Sequence, residues 1–211
     1  MAFKLIQYAL VLTVVFGAAS RAEDAQYVGA EKCKNCHSAP SKGDPYGKWM
    51  NEKHSKAFQI LMSDDAKKTA KAKGIDDPTK ATECLKCHVT AFEAPPAMKH
   101  KKFDITMGVQ CETCHGPGAK HVEARLKDEG DDDAAAAKLV QLPKGEIIGA
   151  PTAETCIKCH NKESPNYMPF AFNKFVPVIA HLDPRKNRPA DYLEKIPADP
   201  KDDPKAVAPK K

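Results

Sequence analysis

All eight cysteines and half of the eight histidines fall into four copies of one string, Cys-x-x-Cys-His. The copies are Cys33–Cys36–His37, Cys84–Cys87–His88, Cys111–Cys114–His115 and Cys156–Cys159–His160. This string is the attachment site of c-type haem. Two thiols at i and i+3 add to the two vinyl groups of one porphyrin, and the adjoining imidazole reaches the iron from the proximal side. Paired Cys-x-x-Cys motifs also build zinc ribbons, and eight cysteines in a secreted chain also make disulfides. Neither of those uses requires a histidine after every pair. The expected cofactor is therefore a set of four covalently held c-type haems.

Four histidines lie outside the strings: His54, His100, His121 and His181. Four six-coordinate irons need four distal ligands, and the numbers match. Ligation by two imidazoles gives low-spin iron with little rearrangement on reduction, whereas a distal methionine raises the potential. His54 and His181 sit in apolar segments. His121 follows the turn Gly116-Pro117-Gly118, which points it towards a haem other than that of His115. His100 stands among Lys99, Lys101 and Lys102, so it reads both as a ligand and as a solvated surface residue. Met50, Met62, Met98, Met107 and Met168 are alternative iron ligands, but each also serves as packing material.

The surrounding chain must position these groups. Lys4, the mostly apolar run Leu5–Gly17 and the small residues around Ala22 read as an export signal over residues 1–22. The run is short for a membrane span, which takes about 20 residues, and no later stretch is expected to cross a membrane. Export suits thioether attachment, which takes place outside the cytoplasm, in the periplasm or at the outer surface. Residues 23–196 form the expected tetrahaem domain. Residues 197–211, rich in proline and charge, are expected to be a disordered tail. Aromatic residues are only 7% and prolines number 17, thin material for an ordinary core. The expected fold is mostly α, with short helices and loops wrapped around four haems. A helix is expected over 46–62, with others to about Lys127 and over 134–142, and an apolar segment over 170–182. Asp128–Asp133 is expected to be an acidic loop. The string spacings of 51, 27 and 45 residues are unequal, which excludes a regular repeat.

The formal charge is +5. Loss of Lys4 and Arg21 with the leader lowers the basic count by two, and each haem with its propionates brings roughly −1, so the holoprotein sits near neutrality. Nucleic acid is not an expected partner.

Trp49 with His54, the block Glu83–Phe92 and above all Gly108-Val109-Gln110-Cys111-Glu112-Thr113-Cys114-His115-Gly116-Pro117-Gly118 resemble the tetrahaem cytochrome c-554 family. The likeness covers roughly residues 27–183, and the best-known member accepts electrons from hydroxylamine oxidoreductase. It implies a mostly helical fold with haems in closely stacked pairs. It also implies His121 opposite His37, His54 opposite His160 and His181 opposite His115. The second haem of that best-known member has no protein ligand on its distal side. Here His100 follows the second string and is a candidate to close the haem of His88. A related resemblance is to tetrahaem cytochromes that polymerise into extracellular filaments, where a distal histidine can act in the neighbouring subunit.

Three functions follow as alternatives. The first is an electron carrier rather than an enzyme, relaying electrons between redox partner proteins. The second is a haem enzyme with an open iron at His88, acting on small nitrogen compounds. The third is a subunit of a conducting homo-oligomer or filament.

Overall fold

A computed structural model describes residues 26–128 and 142–207. The expected leader, most of the acidic loop and, Leu142 aside, the helix expected over 134–142 lie outside them.

The described residues are helices and turns, with a single isolated bridge between Tyr27 and Lys99. In order, the α-helices are α1 (Ala30–His37), α2 (Pro45–Met50), α3 (Ala57–Ile60), α4 (Asp64–Ala72), α5 (Thr82–His88), α6 (Cys111–His115), α7 (Ala119–Asp128), α8 (Ala153–Ile157) and α9 (Phe172–Ile179). Short 3-10 turns fill His54–Lys56 and Ile105–Met107. Each Cys-x-x-Cys-His string occupies or closes a helix: α1, α5 and α6 end on its histidine, and α8 runs into Cys159-His160. Helical spacing brings residues i and i+3 onto one face, so both thiols of a string point the same way.

The single helix expected over 46–62 is broken. The Ser55 hydroxyl lies 3.0 Å from Met50 O and 2.9 Å from Glu52 O, taking up carbonyls that a continuous helix would use. Side-chain hydroxyls that capture backbone groups in this way compete with the helix. The break turns His54 inward. Elsewhere local chemistry fixes the ends: Asp44 accepts from Gly47 N–H at the start of α2, and Ser63 caps α4 by accepting from Ala66 N–H.

Two small apolar clusters form the core. Ala30, Tyr46 and Trp49 make one, and Leu61, Leu85 and Val89 the other. Between them runs Gly108–Gly118, in which Gln110 and Glu112 are buried and paired. Glu112, 2% exposed, accepts from Val28, Gly29 and Gly118 N–H at 2.9, 2.8 and 2.6 Å. Gln110 accepts from Ala30 N–H and donates to Asp104 O, both at 2.8 Å. Trp49 Nε1–H donates to Val109 O at 2.8 Å. Burial pushes the Glu112 carboxyl above its ordinary range, and the three N–H donors pull it back.

Two glycines press against the segments that carry His54 and His181. Gly108 has φ +74°, and a Cβ there would lie 2.7 Å from His54 O. Gly43 has φ +89°, and a Cβ there would collide with Leu182 O. Both positions therefore demand the absent side chain as well as the left-handed backbone.

The segment expected to be a disordered tail is described as far as Val207, and it packs onto α9. Asp202 Oδ1 accepts from Phe172 N–H at 2.6 Å, and Asp203 N–H donates to Phe170 O at 2.7 Å. Tyr167 OH donates to Asp203 Oδ2 at 3.0 Å, Lys174 Nζ reaches Ala206 O, and Ala206 is buried. Ala171 gives α9 no capping side chain, so the helix start recruits a carboxylate from 30 residues away.

Removing either anchor should be measurable by denaturant unfolding of the holoprotein. Glu112→Ala strands three buried N–H groups and should cost about 3 kcal/mol or more. Asp202→Ala should cost about 1 kcal/mol, as for loss of a helix cap.

Candidate haem-binding site

The four strings are drawn together in twos. The Cys33 thiol lies beside Cys111, which together with burial raises the affinity of Cys33 for its proton. The Cys159 thiol is pushed up to about 12, first by burial and then by Cys87 beside it. Burial likewise pushes Cys114 up to about 11, with Cys156 nearby. The first string thus adjoins the third, the second adjoins the fourth, and the third meets the fourth. Helix contacts between α1 and α6 and between α6 and α8 agree with this.

The histidines are also paired, and in each pair one comes from a string and one does not. The His37 and His121 rings lie 6.1 Å apart between centroids, at 30° to each other. His54 and His160 are 5.9 Å apart at 80°. His115 and His181 are 5.9 Å apart at 63°. An imidazole nitrogen sits about 2 Å from a bound metal, and the ring centre lies roughly 1 Å further out, so two axial rings across one iron are about 6 Å apart. The three pairs fit a metal between two imidazoles. Among the described residues no three or more His, Cys, Asp and Glu side chains gather as an ion site; the histidines meet in twos.

Protonation suits ligation. Burial lowers the proton affinity of His37, His54, His115 and His160, and in His37, His54 and His115 the facing histidine adds to the effect. A neutral imidazole is the form that binds metal. Several rings also have Nδ1 engaged. His88 Nδ1 lies 2.6 Å from Ala57 O, His115 Nδ1 2.6 Å from Ile148 O, His181 Nδ1 3.1 Å from Ile179 O, and His121 Nδ1 2.7 Å from Glu146 Oε1. Each of these partners only accepts, so Nδ1 carries the proton and Nε2 is left with its lone pair. His160 is steadied by stacking on Phe170, with centroids 5.0 Å apart.

His100 behaves differently. No ring contact joins it to His88, and His88 has no histidine opposite it among the described residues. The Lys102 N–H donates to His100 Nδ1 at 3.2 Å, which puts the ring proton on Nε2. The backbone explains the placement: His100 N–H donates to Tyr27 O at 2.8 Å, and Tyr27 N–H to Met98 O at 2.7 Å. This bridge ties His100 to the segment leading into α1.

Sequence reasoning missed Glu146 and the loop that carries it. Pro143-Lys144-Gly145-Glu146 is a turn closed by Glu146 N–H to Pro143 O at 3.1 Å, with Gly145 at φ +84°. The Pro-x-Gly signal was there to be read, but nothing local shows that the following glutamate points at a histidine 25 residues back.

No helix of the described residues is long and apolar enough to cross a membrane. No solved structure matches the chain. Residues 32–116 match the family model described as cytochrome c554 and c-prime. Cytochrome c-554 of Nitrosomonas europaea is 34% identical to the chain over 115 residues, covering 52% of this chain and 46% of the relative. The chain thus matches about half the length of that curated relative. Over these matched residues the chain is similar to the cytochrome c-554 family, and its cofactor is c-type haem.

Proposed function

We propose that this protein is an exported electron carrier, a tetrahaem relay that exchanges electrons with redox partner proteins. The single observation that carries the reading is the pairing of histidines. Three of the four string histidines face a histidine from a distant part of the chain at 5.9–6.1 Å. Bound haem supplies iron that takes up and gives back one electron. The chain does the rest. Cys33/Cys36, Cys84/Cys87, Cys111/Cys114 and Cys156/Cys159 hold the porphyrins. His37 with His121, His54 with His160, and His115 with His181 would hold three of the irons, each between two imidazoles. Rings held by neighbouring backbone and by Phe170 move little between oxidation states, which favours fast transfer. Adjacent strings would hold their haems as neighbours in one relay.

A second reading rests on a separate observation. His88 faces no histidine, and His100 has its Nδ1 occupied by Lys102 N–H. His88 would then hold an iron with no facing histidine, where a small molecule could bind.

Mass measurement of the purified holoprotein should find four haems per chain, and voltammetry should show four reversible one-electron steps without added substrate. Fewer haems, or reduction that consumes a substrate, would contradict the relay. The fully reduced protein should take up one carbon monoxide per chain, and His100→Ala should leave that stoichiometry unchanged. If His100→Ala raises uptake from none to one, His100 closes the His88 haem.

A further inference from the structure

The turn 143–146 and the residues just after it touch one ligand histidine in each of two pairs, and they do so with different chemistry. Ile148 O accepts from His115 Nδ1, and Ile148 N–H donates to His115 O at 2.9 Å. Two residues earlier, Glu146 Oε1 accepts from His121 Nδ1 at 2.7 Å. The Glu146 side chain is 5% exposed and that of His121 16%. Glu146 Oε2 in turn lies 3.3 Å from Arg125 Nη2, one turn beyond His121 on α7. The two pairs are neighbours: His121, His115 and His181 all bear electrostatically on His37. Among the described residues the other Nδ1 atoms that donate meet backbone carbonyls: His88 at Ala57, His115 at Ile148 and His181 at Ile179. His121 alone among these meets a carboxylate.

We propose that Glu146 is a positioning residue that fixes His121 for the iron and makes the His37/His121 haem the lower-potential member of the pair it forms with the His115/His181 haem. A carboxylate is a stronger hydrogen-bond acceptor than a peptide carbonyl. It draws the Nδ1 proton outward and makes Nε2 a better donor to a metal. A better donor favours ferric over ferrous iron, so this haem is harder to reduce. Arg125 moderates the effect by sharing the same carboxylate. The loop therefore gives two adjacent haems unequal potentials and the relay a direction. This inference rests on the ligand pairs proposed above.

The test is a redox titration of the holoprotein, followed by electron paramagnetic resonance, for wild type, Glu146→Gln and Arg125→Gln. Glu146→Gln keeps an oxygen acceptor of similar shape and removes the charge. One of the four steps should move upward by about tenfold in its oxidised-to-reduced equilibrium, about 59 mV for one electron, and the g-values of one low-spin signal should change with it. Arg125→Gln, which takes a cation from Glu146 Oε2, should move the same step downward. Structural damage would move both variants the same way and convert iron to the high-spin state, and that result overturns the proposal. So does a potential shift in Glu146→Gln with unaltered g-values, which is a field effect without the hydrogen bond. If the wild type itself lacks low-spin signals, the ligand pairs fail; if it has them and Glu146→Gln changes nothing, only the role of Glu146 fails.

Discussion

An iron held by two imidazoles requires two rings to meet across a fixed gap of about 6 Å. The chain is built to satisfy that constraint three times with residues far apart in sequence. His37 meets His121, His54 meets His160, and His115 meets His181. Each closure orders a long loop, at an entropic cost that grows only slowly with loop length. The apolar clusters are too small to carry this alone. Buried polar anchors share the load, chiefly Glu112 with its three N–H donors and Gln110 bridging Ala30 and Asp104. Gly108 and Gly43 complete the seating by letting other backbone approach the segments that bear His54 and His181.

The same anchors explain why Gly108–Gly118 is the most recognisable stretch of the chain. It carries a haem-binding string, yet most of its residue types are set by other contacts. Val109 takes the Trp49 indole N–H and also donates its own N–H to His54 O at 3.0 Å. Gln110 N–H meets Thr90 Oγ1 at 2.6 Å. One short segment thus connects α1, the His54 turn, the second string and the start of α7. A change there disturbs more than one string.

Much of this was legible in sequence. The four strings fixed the cofactor chemistry because two thiols and an imidazole at that spacing serve few other ends. The family resemblance supplied the three ring pairings, which the geometry matches. The helix expected to about Lys127 is α7, and the apolar segment over 170–182 contains α9. The helix over 46–62 misled because Ser55 looks like an ordinary helical residue until its hydroxyl finds Met50 O and Glu52 O. The tail looked disordered because its composition is polar, yet its aspartates cap a helix that lacks a cap of its own. His100 is a candidate for the His88 haem by nearness in sequence, and its backbone is tied to Tyr27. Glu146 was invisible because its partner is reached only through the fold.

The most direct test is the spin state of iron in the purified ferric protein, quantified by electron paramagnetic resonance at neutral pH. Three ring pairs and a solitary His88 predict about three low-spin irons for each high-spin one. A spectrum that is low-spin throughout would contradict a haem held by His88 from one side only, and a predominantly high-spin spectrum would contradict the three ligand pairs on which the account rests.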